Sequence, residues 1–397
     1  MKRPWLVILC GAIIVTLTMG VRQAFGLFLP QMSMELGISR GDFGLALAIQ
    51  NLLFGLAQPL VGAIADKHGA GRVIFLGTLI YVGGLVAAAL ATSAIGLHLS
   101  FGVAIGMALA ATTFVVVLGV VGRVVPPEHR SMSFGMVTAG GSLGQFLVVP
   151  LGQMLLTDLG YRLALMVLAG LVAICAPLAW GLAGKPPSQA DAAEASQSLT
   201  QALGEAGQHG GYWLLNAGFF VCGFHIAFIA THFPAYLNDS GLGLQIGATA
   251  LALIGLFNIF GSYAFGVSGD HFRKKWVLSG IYAARAVIIT LFLLLPLSSS
   301  SALLFAAAMG FLWLGTVPLT SGLVGQMFGI RYLSTLYGIV FLSHQVGSFL
   351  GAWMAGYFYD ILGSYDMAWG MSIALGILAM IVHLPIRDAP VPRLRTA

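Results

Sequence analysis

The sequence predicts an all-α membrane protein of about twelve transmembrane helices in two pseudo-symmetric six-helix bundles. Its composition, its long apolar runs and an internal repeat predict this class. Of the 397 residues, 58% are hydrophobic and only 8% are charged, whereas a soluble domain carries about a quarter charged residues. The net charge of +5 does not indicate nucleic acid, because the basic residues are sorted by membrane side.

The apolar runs fix the number of spans. A hydrocarbon core about 30 Å thick needs roughly 20 apolar residues per helix. Twelve such runs flank one polar segment, which predicts an N-terminal bundle at 1–183, a flexible cytoplasmic linker at 184–211 and a C-terminal bundle with a short cytoplasmic tail at 212–397. The predicted spans are residues 5–31, 43–65, 72–92, 95–123, 131–156, 161–183, 212–236, 245–267, 276–297, 301–328, 334–358 and 365–386.

The internal repeat relates the two halves. Asp66 pairs with Asp270 at a separation of 204 residues (270 − 66), and the same step links Thr112 with Thr316. A separation that persists over several spans indicates two copies of one design.

The basic residues fix the topology. Of the eighteen Lys and Arg, only Arg40 and Arg162 fall on one predicted side and Arg22 and Arg285 within spans, so the other fourteen mark the cytoplasmic side. Both termini are therefore expected in the cytoplasm. The basic start lacks a small-residue cleavage site, which predicts a retained first span.

Catalytic or metal-binding chemistry has no support in the sequence. The three cysteines lie in apolar runs and are expected to be small core residues. No nucleophile–base pair and no metal-ligand cluster occurs at membrane depth, so we expect neither an enzyme nor a cofactor.

Two charged loops carry a family resemblance. The loop Gly62–Arg72 joins the second and third spans in a G-x-x-x-D-basic pattern, which returns at Gly266–Lys275. The repeated loop resembles the signature of the major facilitator superfamily of secondary transporters. Ala70 and Gly71 depart from the basic residues usual in the family, and Arg72 restores one. The resemblance implies the major facilitator fold, a monomer and transport by alternating access.

Both loops are predicted to act as cytoplasmic gate latches. Each acid would accept hydrogen bonds from a helix N-terminus or from an arginine of the same half. Two further arginines, in the loops before the fifth and eleventh spans, would bind helix C-termini or headgroups. Simple loop solubility is the alternative. The predicted gating residues are Asp66, Arg72, Arg130, Asp270, Arg273 and Arg331.

The spans hold arginine but no acid. All thirteen Asp and Glu fall in loops, span ends or tails, whereas a carrier of cationic drugs needs an acid at depth. Inserting an arginine at this depth costs at least ~2.5 kcal/mol. A substrate carboxylate would therefore be a suitable counter-ion for Arg22, which lies next to Gln23. Snorkelling to the outer interface or bonding to a neighbouring helix is the alternative.

The run G-x-R-x-x-F-G-x-F-x-x-P around Arg22, with the Pro126–Arg130 loop and the glycines that follow, is similar to the bacterial monocarboxylate and oxalate/formate branch. Members of that branch hold carboxylate with a cavity arginine. The resemblance to this bacterial branch also implies a protein of the bacterial inner membrane. Animal monocarboxylate transporters carry an Asp-x-x-x-Arg pair in the eighth span, where this chain has Asn258 and Ser262. Arg285, in the ninth span, is either a second ligand or bonded to carbonyls or Asn258.

Three histidines are candidates for coupling. His225, His232 and His344 lie within spans, and histidine is the side chain left there that titrates between pH 5 and 8. The first two are seven residues apart, on one face of the seventh helix. Packing histidines are the alternative.

Polar residues complete the candidate site, with interhelical bonding as the alternative role. The predicted substrate-binding residues are Arg22, Gln23, Thr112, Thr113, Gln145, Arg285, Thr316 and His344. The predicted cargo is a small organic anion, taken with protons or exchanged for a counter-anion. The alternative is efflux of drugs or other amphipathic compounds, which would survive loss of Arg22.

Overall fold

A computed structural model describes residues 4–38, 40–183 and 197–395. Within these ranges twelve helices are long and apolar enough to cross a membrane, which confirms the predicted all-α membrane fold. Residues 184–196 of the predicted linker lie outside the described ranges. The spans are Pro4–Ala24, Leu45–His68, Ala70–Leu90, Ala94–Val124, Pro127–Gly152, Met154–Leu182, Gly210–Phe233, Thr249–His271, Lys274–Leu294, Ser299–Phe328, Leu333–Ala355 and Asp366–His383.

The chain forms two compact units. Unit 1 comprises Met1–Val125, Gly140–Ala190 and Arg331–Gly338. Unit 2 comprises the remainder, and within it the short segment Pro126–Ala139 comes from the first sequence half. Each unit therefore includes one helix start that belongs, by sequence, to the other half.

The helices of the first sequence half are interrupted by 3₁₀ turns at Phe25–Phe28 and Pro127–His129 and by a π-helical stretch at His98–Ala104. They are α1 Pro4–Ala24, α2 Leu29–Leu36, α3 Arg40–His68, α4 Ala70–Leu90, α5 Ala94–Leu97, α6 Ile105–Thr112, α7 Phe114–Val124, α8 Arg130–Ala173 and α9 Cys175–Ala179. The long helix α8 carries two spans and bends at Gly160, whose φ of 74° suits glycine.

The second half begins with a short amphipathic helix whose N-terminus has a capping box at Ser198. Its helices are α10 Leu199–Gln208, α11 Gly210–Asp239, α12 Leu244–His271, α13 Lys274–Leu294, α14 Ser299–Leu312, α15 Thr316–Phe328, α16 Leu333–Leu362, α17 Asp366–His383 and α18 Pro392–Arg395.

The fourth and tenth spans are both broken near the middle. Thr113 has an extended conformation between α6 and α7, and its hydroxyl donates back to the carbonyl of Leu109 at 2.7 Å. In the tenth span α14 ends at Leu312 and α15 begins at Thr316. A break leaves carbonyls at the end of the first helix segment without intrahelical partners. These carbonyls are available to side chains.

Glycines let helices approach closely within each unit. A Cβ at Gly144 in unit 1 would lie 2.0 Å from the carbonyl oxygen of Thr16, and one at Gly261 in unit 2 would lie 1.7 Å from that of Phe311. Helices in a bilayer associate through such close packing because apolar burial gives no preference over lipid.

The core of unit 2 is aromatic. Phe292 stacks on Phe305 with ring centroids 4.3 Å apart, and Trp369 packs edge-on against Phe228 at 4.7 Å. This rigid cluster supports α11, α13 and α14, the helices that carry the polar site described next.

Candidate functional site

Arg285 is the central residue of the candidate site in unit 2. It lies on α13 and is 0% exposed. Its Nη2 donates to the carbonyl oxygens of Leu312 at 2.7 Å and Trp313 at 2.6 Å. These carbonyls close the C-terminus of α14 at the break, where the helix dipole is negative. The structural role anticipated for Arg285, bonding to carbonyls, is therefore present, whereas no bond to Asn258 is found for it.

Two of the three guanidinium nitrogens of Arg285 have no described acceptor. Among the described residues, nothing accepts a hydrogen bond from Nε or Nη1 of Arg285, and no carboxylate forms an ion pair with it. The face of the guanidinium lies 5.3 Å from the centroid of the Tyr282 ring. A buried donor without a partner destabilises a protein by about 1–3 kcal/mol, and more when it is charged.

Cys222, on α11, is the nearest acid to this charge. Its Sγ lies 3.7 Å from Nη2 of Arg285 and 3.1 Å from Oγ1 of Thr316, the first residue of α15. The next residue, Gly223, lets α11 approach α16 closely, because a Cβ there would lie 1.8 Å from the carbonyl oxygen of His344.

His344, on α16, faces the same thiol. Its ring packs against Phe219 and Phe341, with centroid distances of 4.9 and 5.3 Å. Nδ1 lies 3.3 Å from Oε1 of Gln345. The structure thus brings together three of the predicted substrate-binding residues, Arg285, Thr316 and His344, and adds a cysteine that the sequence analysis assigned to the core.

The other two histidines are tied to main-chain carbonyls. Nε2 of His225 lies 2.8 Å from the carbonyl oxygen of Ser372, and Nε2 of His232 lies 2.7 Å from that of Ala352. Although they lie two turns apart on one helix, they contact different helices. Both therefore match the packing role that was the alternative to coupling.

Arg22 and Gln23 lie in unit 1, at the end of α1. Arg22 is half-buried, donates from Nη2 to Oδ1 of Asn51 and lies 5.6 Å from the centroid of the Phe54 ring. No described residue accepts a hydrogen bond from its Nε. Gln23 is exposed. Arg22 is therefore more accessible than Arg285 and bonds to a neutral amide.

The remaining predicted residues of unit 1 occupy packing positions. Thr112 Oγ1 donates to the carbonyl oxygen of Ala108 at 2.9 Å, and Thr113 makes the equivalent bond described above. Gln145 is half-buried and follows Gly144, the point of contact between α8 and α1. Both threonines are thus satisfied within their own helix.

Asp66, near the end of the second span, is a buried carboxylate with three hydrogen-bond donors around it. In unit 1 it accepts hydrogen bonds from Arg123 Nη1 at 2.7 Å, from the backbone N–H of Thr335 at 2.8 Å and from the Thr335 hydroxyl at 2.9 Å. An arginine of the same half and a helix start therefore both bind it, as expected. Arg123 was not predicted, although a basic residue at a span end facing a buried acid is the signal that identifies it.

Asp270 binds the start of α8 in unit 2. Its two oxygens accept from the backbone N–H groups of Ser131 at 2.8 Å and Met132 at 2.7 Å. Unpaired N–H groups and the positive end of the helix dipole favour a carboxylate at this position.

The four predicted gating arginines have different surroundings. Arg72 is exposed, Arg130 is half-buried, and Arg331 lies over the ring of Tyr332 at 5.5 Å. Arg273 donates from Nε at 3.1 Å and from Nη2 at 2.6 Å to the two oxygens of Asp388. These bonds hold the pKa of Asp388 below its usual value.

Within the described ranges, no group of three His, Cys, Asp or Glu side chains could hold a metal ion.

Known proteins of similar sequence and structure are transporters by name. The chain is 25% identical to monocarboxylate transporter 13 of Rattus norvegicus over 96% of its own length and 89% of that protein. It is 22% identical to the uncharacterized MFS-type transporter YcxA of Bacillus subtilis (strain 168), over 98% of this chain and 96% of that one. The crystal structure of the E. coli fucose:proton symporter FucP shares the fold, with a TM-score of 0.72 at 16% identity over 95% of this chain and 97% of that one.

The resemblance seen in the two charged loops is therefore confirmed. The family model for the Major Facilitator Superfamily matches residues 11–331. The chain belongs to the Major Facilitator Superfamily, a family of transporters rather than an enzyme class.

Proposed function

We propose that this chain is a secondary active transporter of a small organic anion, of which a monocarboxylate is the simplest case. Transport would proceed by alternating access of the two sequence halves, with proton symport or anion exchange. One observation carries the proposal: Arg285 is fully buried, and two of its nitrogens have no partner among the described residues.

The chemistry of the guanidinium favours an anion. Arginine is not deprotonated in proteins, so its charge persists when the site is empty. A carboxylate oxygen would accept a charge-assisted hydrogen bond from Nε or Nη1 and offset the charge. A cationic drug would instead meet an uncompensated positive charge. The names of the relatives support the same class of cargo.

The two acidic loops supply a gate for this cycle. The helix start that Asp66 binds belongs by sequence to the second half, and the one that Asp270 binds belongs to the first. When the halves rearrange, each set of hydrogen bonds must break and re-form. This supports the gating role proposed for Asp66 and Asp270.

The protein is expected to act as a monomer in a bacterial inner membrane, with both termini in the cytoplasm. The twelve spans make the chain a multi-pass membrane protein, and an even number of spans places both ends on one side. Protease access to a C-terminal tag in sealed inside-out vesicles, and its protection in right-side-out vesicles, tests this topology.

Reconstituted protein tests the function. Wild-type protein in proteoliposomes should take up labelled monocarboxylates, whereas Arg285→Gln should take up far less at the same concentration. Arg162→Gln is the matched control, because Arg162 is exposed. A carboxylate that binds the folded protein should also raise its melting temperature. At a carboxylate concentration of 100 times Kd, binding stabilises the folded state by about 2.7 kcal/mol. Transport of cationic dyes by both wild type and Arg285→Gln, with no carboxylate uptake, would instead establish the efflux alternative.

A further inference from the structure

The buried guanidinium of Arg285 in unit 2 requires a negative charge. Arg285 is fully buried, and the carbonyls of Leu312 and Trp313 supply only partial charge. A buried charge that lacks a full counter-charge is strongly unfavourable. Because no described carboxylate pairs with Arg285, the counter-charge must come from another acid.

Cys222 has the position for that role. Its sulfur lies 3.7 Å from Nη2 of Arg285, and the hydroxyl of Thr316 is 3.1 Å away and can donate to it. A cation and a hydrogen-bond donor are the groups that stabilise a thiolate. The other two cysteines, Cys10 and Cys175, are also buried free thiols.

The remaining titratable groups around the thiol leave it as the acid of the cluster. His344 faces it from α16, and His225 lies one turn along α11 with its Nε2 against the carbonyl of Ser372. Tyr282 lies against the face of Arg285. The two imidazoles are neutral or cationic and therefore cannot neutralise a guanidinium.

We propose that Cys222 is the proton-carrying group of this transporter, and this inference rests on the proposed transport of a carboxylate. In the empty site Cys222 is a thiolate that neutralises Arg285. When the substrate carboxylate binds Arg285, the thiolate takes one proton from the side on which the substrate entered. When the substrate leaves, the thiol returns that proton to water on the other side.

Charge neutrality couples the two ligands. The empty site holds one guanidinium and one thiolate, and the loaded site holds one guanidinium, one carboxylate and one neutral thiol. Both states carry zero net charge, whereas either ligand alone would leave a net charge at membrane depth, which is unfavourable. One proton therefore moves with each carboxylate.

The internal repeat provides the matched variant. The residue 204 positions before Cys222 is Thr18, whose hydroxyl bonds to the carbonyls of Ile14 at 2.8 Å and Thr112 at 3.3 Å. Threonine thus fits the corresponding position of unit 1 and cannot carry the proton. Cys222→Thr and the smaller change Cys222→Ser both remove the acid and keep a polar group.

The transport experiment separates this inference from the proposed function. Full-length protein is reconstituted in vesicles that contain a pH-sensitive dye, and proton movement is measured during net uptake of carboxylate, since exchange of one carboxylate for another moves no net proton. In Cys222→Thr and Cys222→Ser proton movement should fall at least tenfold, and by a larger factor than the rate of carboxylate exchange does. Proton movement that falls no more than exchange does, or net uptake by the wild type without protons, overturns the inference alone. Wild-type vesicles that take up and exchange no carboxylate overturn the proposed function.

Infrared spectroscopy supplies a readout that does not depend on transport. In the variant Cys10→Ser/Cys175→Ser, Cys222 is the only thiol. The S–H stretching band should be absent at neutral pH without substrate and should appear when carboxylate is added. A band of equal intensity in both states shows that the thiol is always protonated, and it overturns the inference even where a Cys222 variant does not fold.

Discussion

The broken spans of the two units share one geometry and differ in chemistry. In unit 1 a residue of the first span contacts the break and accepts a hydrogen bond from a residue of the third span, whereas in unit 2 residues of the first and third spans both contact the break. The third-span residue is neutral in unit 1 and a cation in unit 2. The matched pairs, 204 residues apart, are Thr18 with Cys222, Tyr81 with Arg285 and Thr112 with Thr316.

In unit 1 hydrogen bonds link the three residues in series. The hydroxyl of Tyr81 donates to the carbonyl of Thr18 at 3.0 Å, and the Thr18 hydroxyl donates to that of Thr112 at 3.3 Å. In unit 2 Arg285 replaces the tyrosine and keeps unpartnered nitrogens. The comparison shows that the break itself is a structural feature of the repeat, whereas a fully buried guanidinium at the break is a feature of unit 2.

The largest expected effect tests that asymmetry directly. Arg285→Gln removes the buried charge, and we expect the apparent affinity for carboxylate to fall at least ~30-fold, since truncating one partner of a buried charged pair weakens binding by about 2–5 kcal/mol. Tyr81→Phe, the matched change in unit 1, should alter it less than about twofold. Concentration-dependent uptake measures both. Equal losses in the two variants would mean that the units contribute alike.

The acidic loops allow a second comparison. Asp66→Ala removes an ion pair and two hydrogen bonds from a helix start, so we expect kcat of uptake to fall about tenfold, which is about 1.4 kcal/mol, with KM within about twofold. Asp270→Ala removes two backbone hydrogen bonds and should slow turnover less. A rise in KM at constant kcat would assign these acids to binding rather than to gating.

Arg22 provides an intermediate test. It is half-buried and bonds to Asn51, so it should contribute less than the buried Arg285. Arg22→Ala should weaken the apparent carboxylate affinity about three- to tenfold, as expected for a hydrogen bond to a charged group that is partly solvated. Unchanged affinity would restrict anion recognition to unit 2.

The smallest expected effect concerns the C-terminal tail of unit 2. Arg273 lowers the pKa of Asp388, so this carboxylate stabilises the fold above its unfolded pKa of ~3.9 and the contribution disappears as pH falls through the lower folded value. Asp388→Asn should lower Tm by about 2 °C at pH 7 because one partner is exposed. The Tm difference should shrink as the pH falls below ~3.9 and vanish once the pH is below the folded pKa of Asp388. A Tm difference that does not shrink on acidification would have another cause.

The sequence predicted the fold more fully than it predicted the ends of the helices. Composition and the 204-residue step predicted twelve spans in two halves. The first span was predicted as residues 5–31, but α1 ends at Ala24 and the 3₁₀ turn Phe25–Phe28 follows. Hydrophobicity sets the length of an apolar run, and it does not record where the backbone changes its helical type.

The candidate site was only partly predictable. Arg285 stands out because an arginine at depth is rare, whereas Cys222 resembles any small core residue until its distance to Arg285 is known. Arg123 was missed because its partner Asp66 is 57 residues away. Spacing along one helix predicts shared faces, but contacts between helices depend on packing that one sequence does not reveal.

The two carbonyl bonds of Nη2 have a consequence for recognition. Arginine has one of the largest rotamer entropies of any side chain, and an arginine that becomes ordered only on binding loses that entropy at the expense of affinity. Here the carbonyls of Leu312 and Trp313 immobilise the guanidinium during folding. An anion would therefore bind a guanidinium that is already ordered. A modest affinity would then reflect weak contacts with the rest of the substrate, not the entropy lost in ordering Arg285.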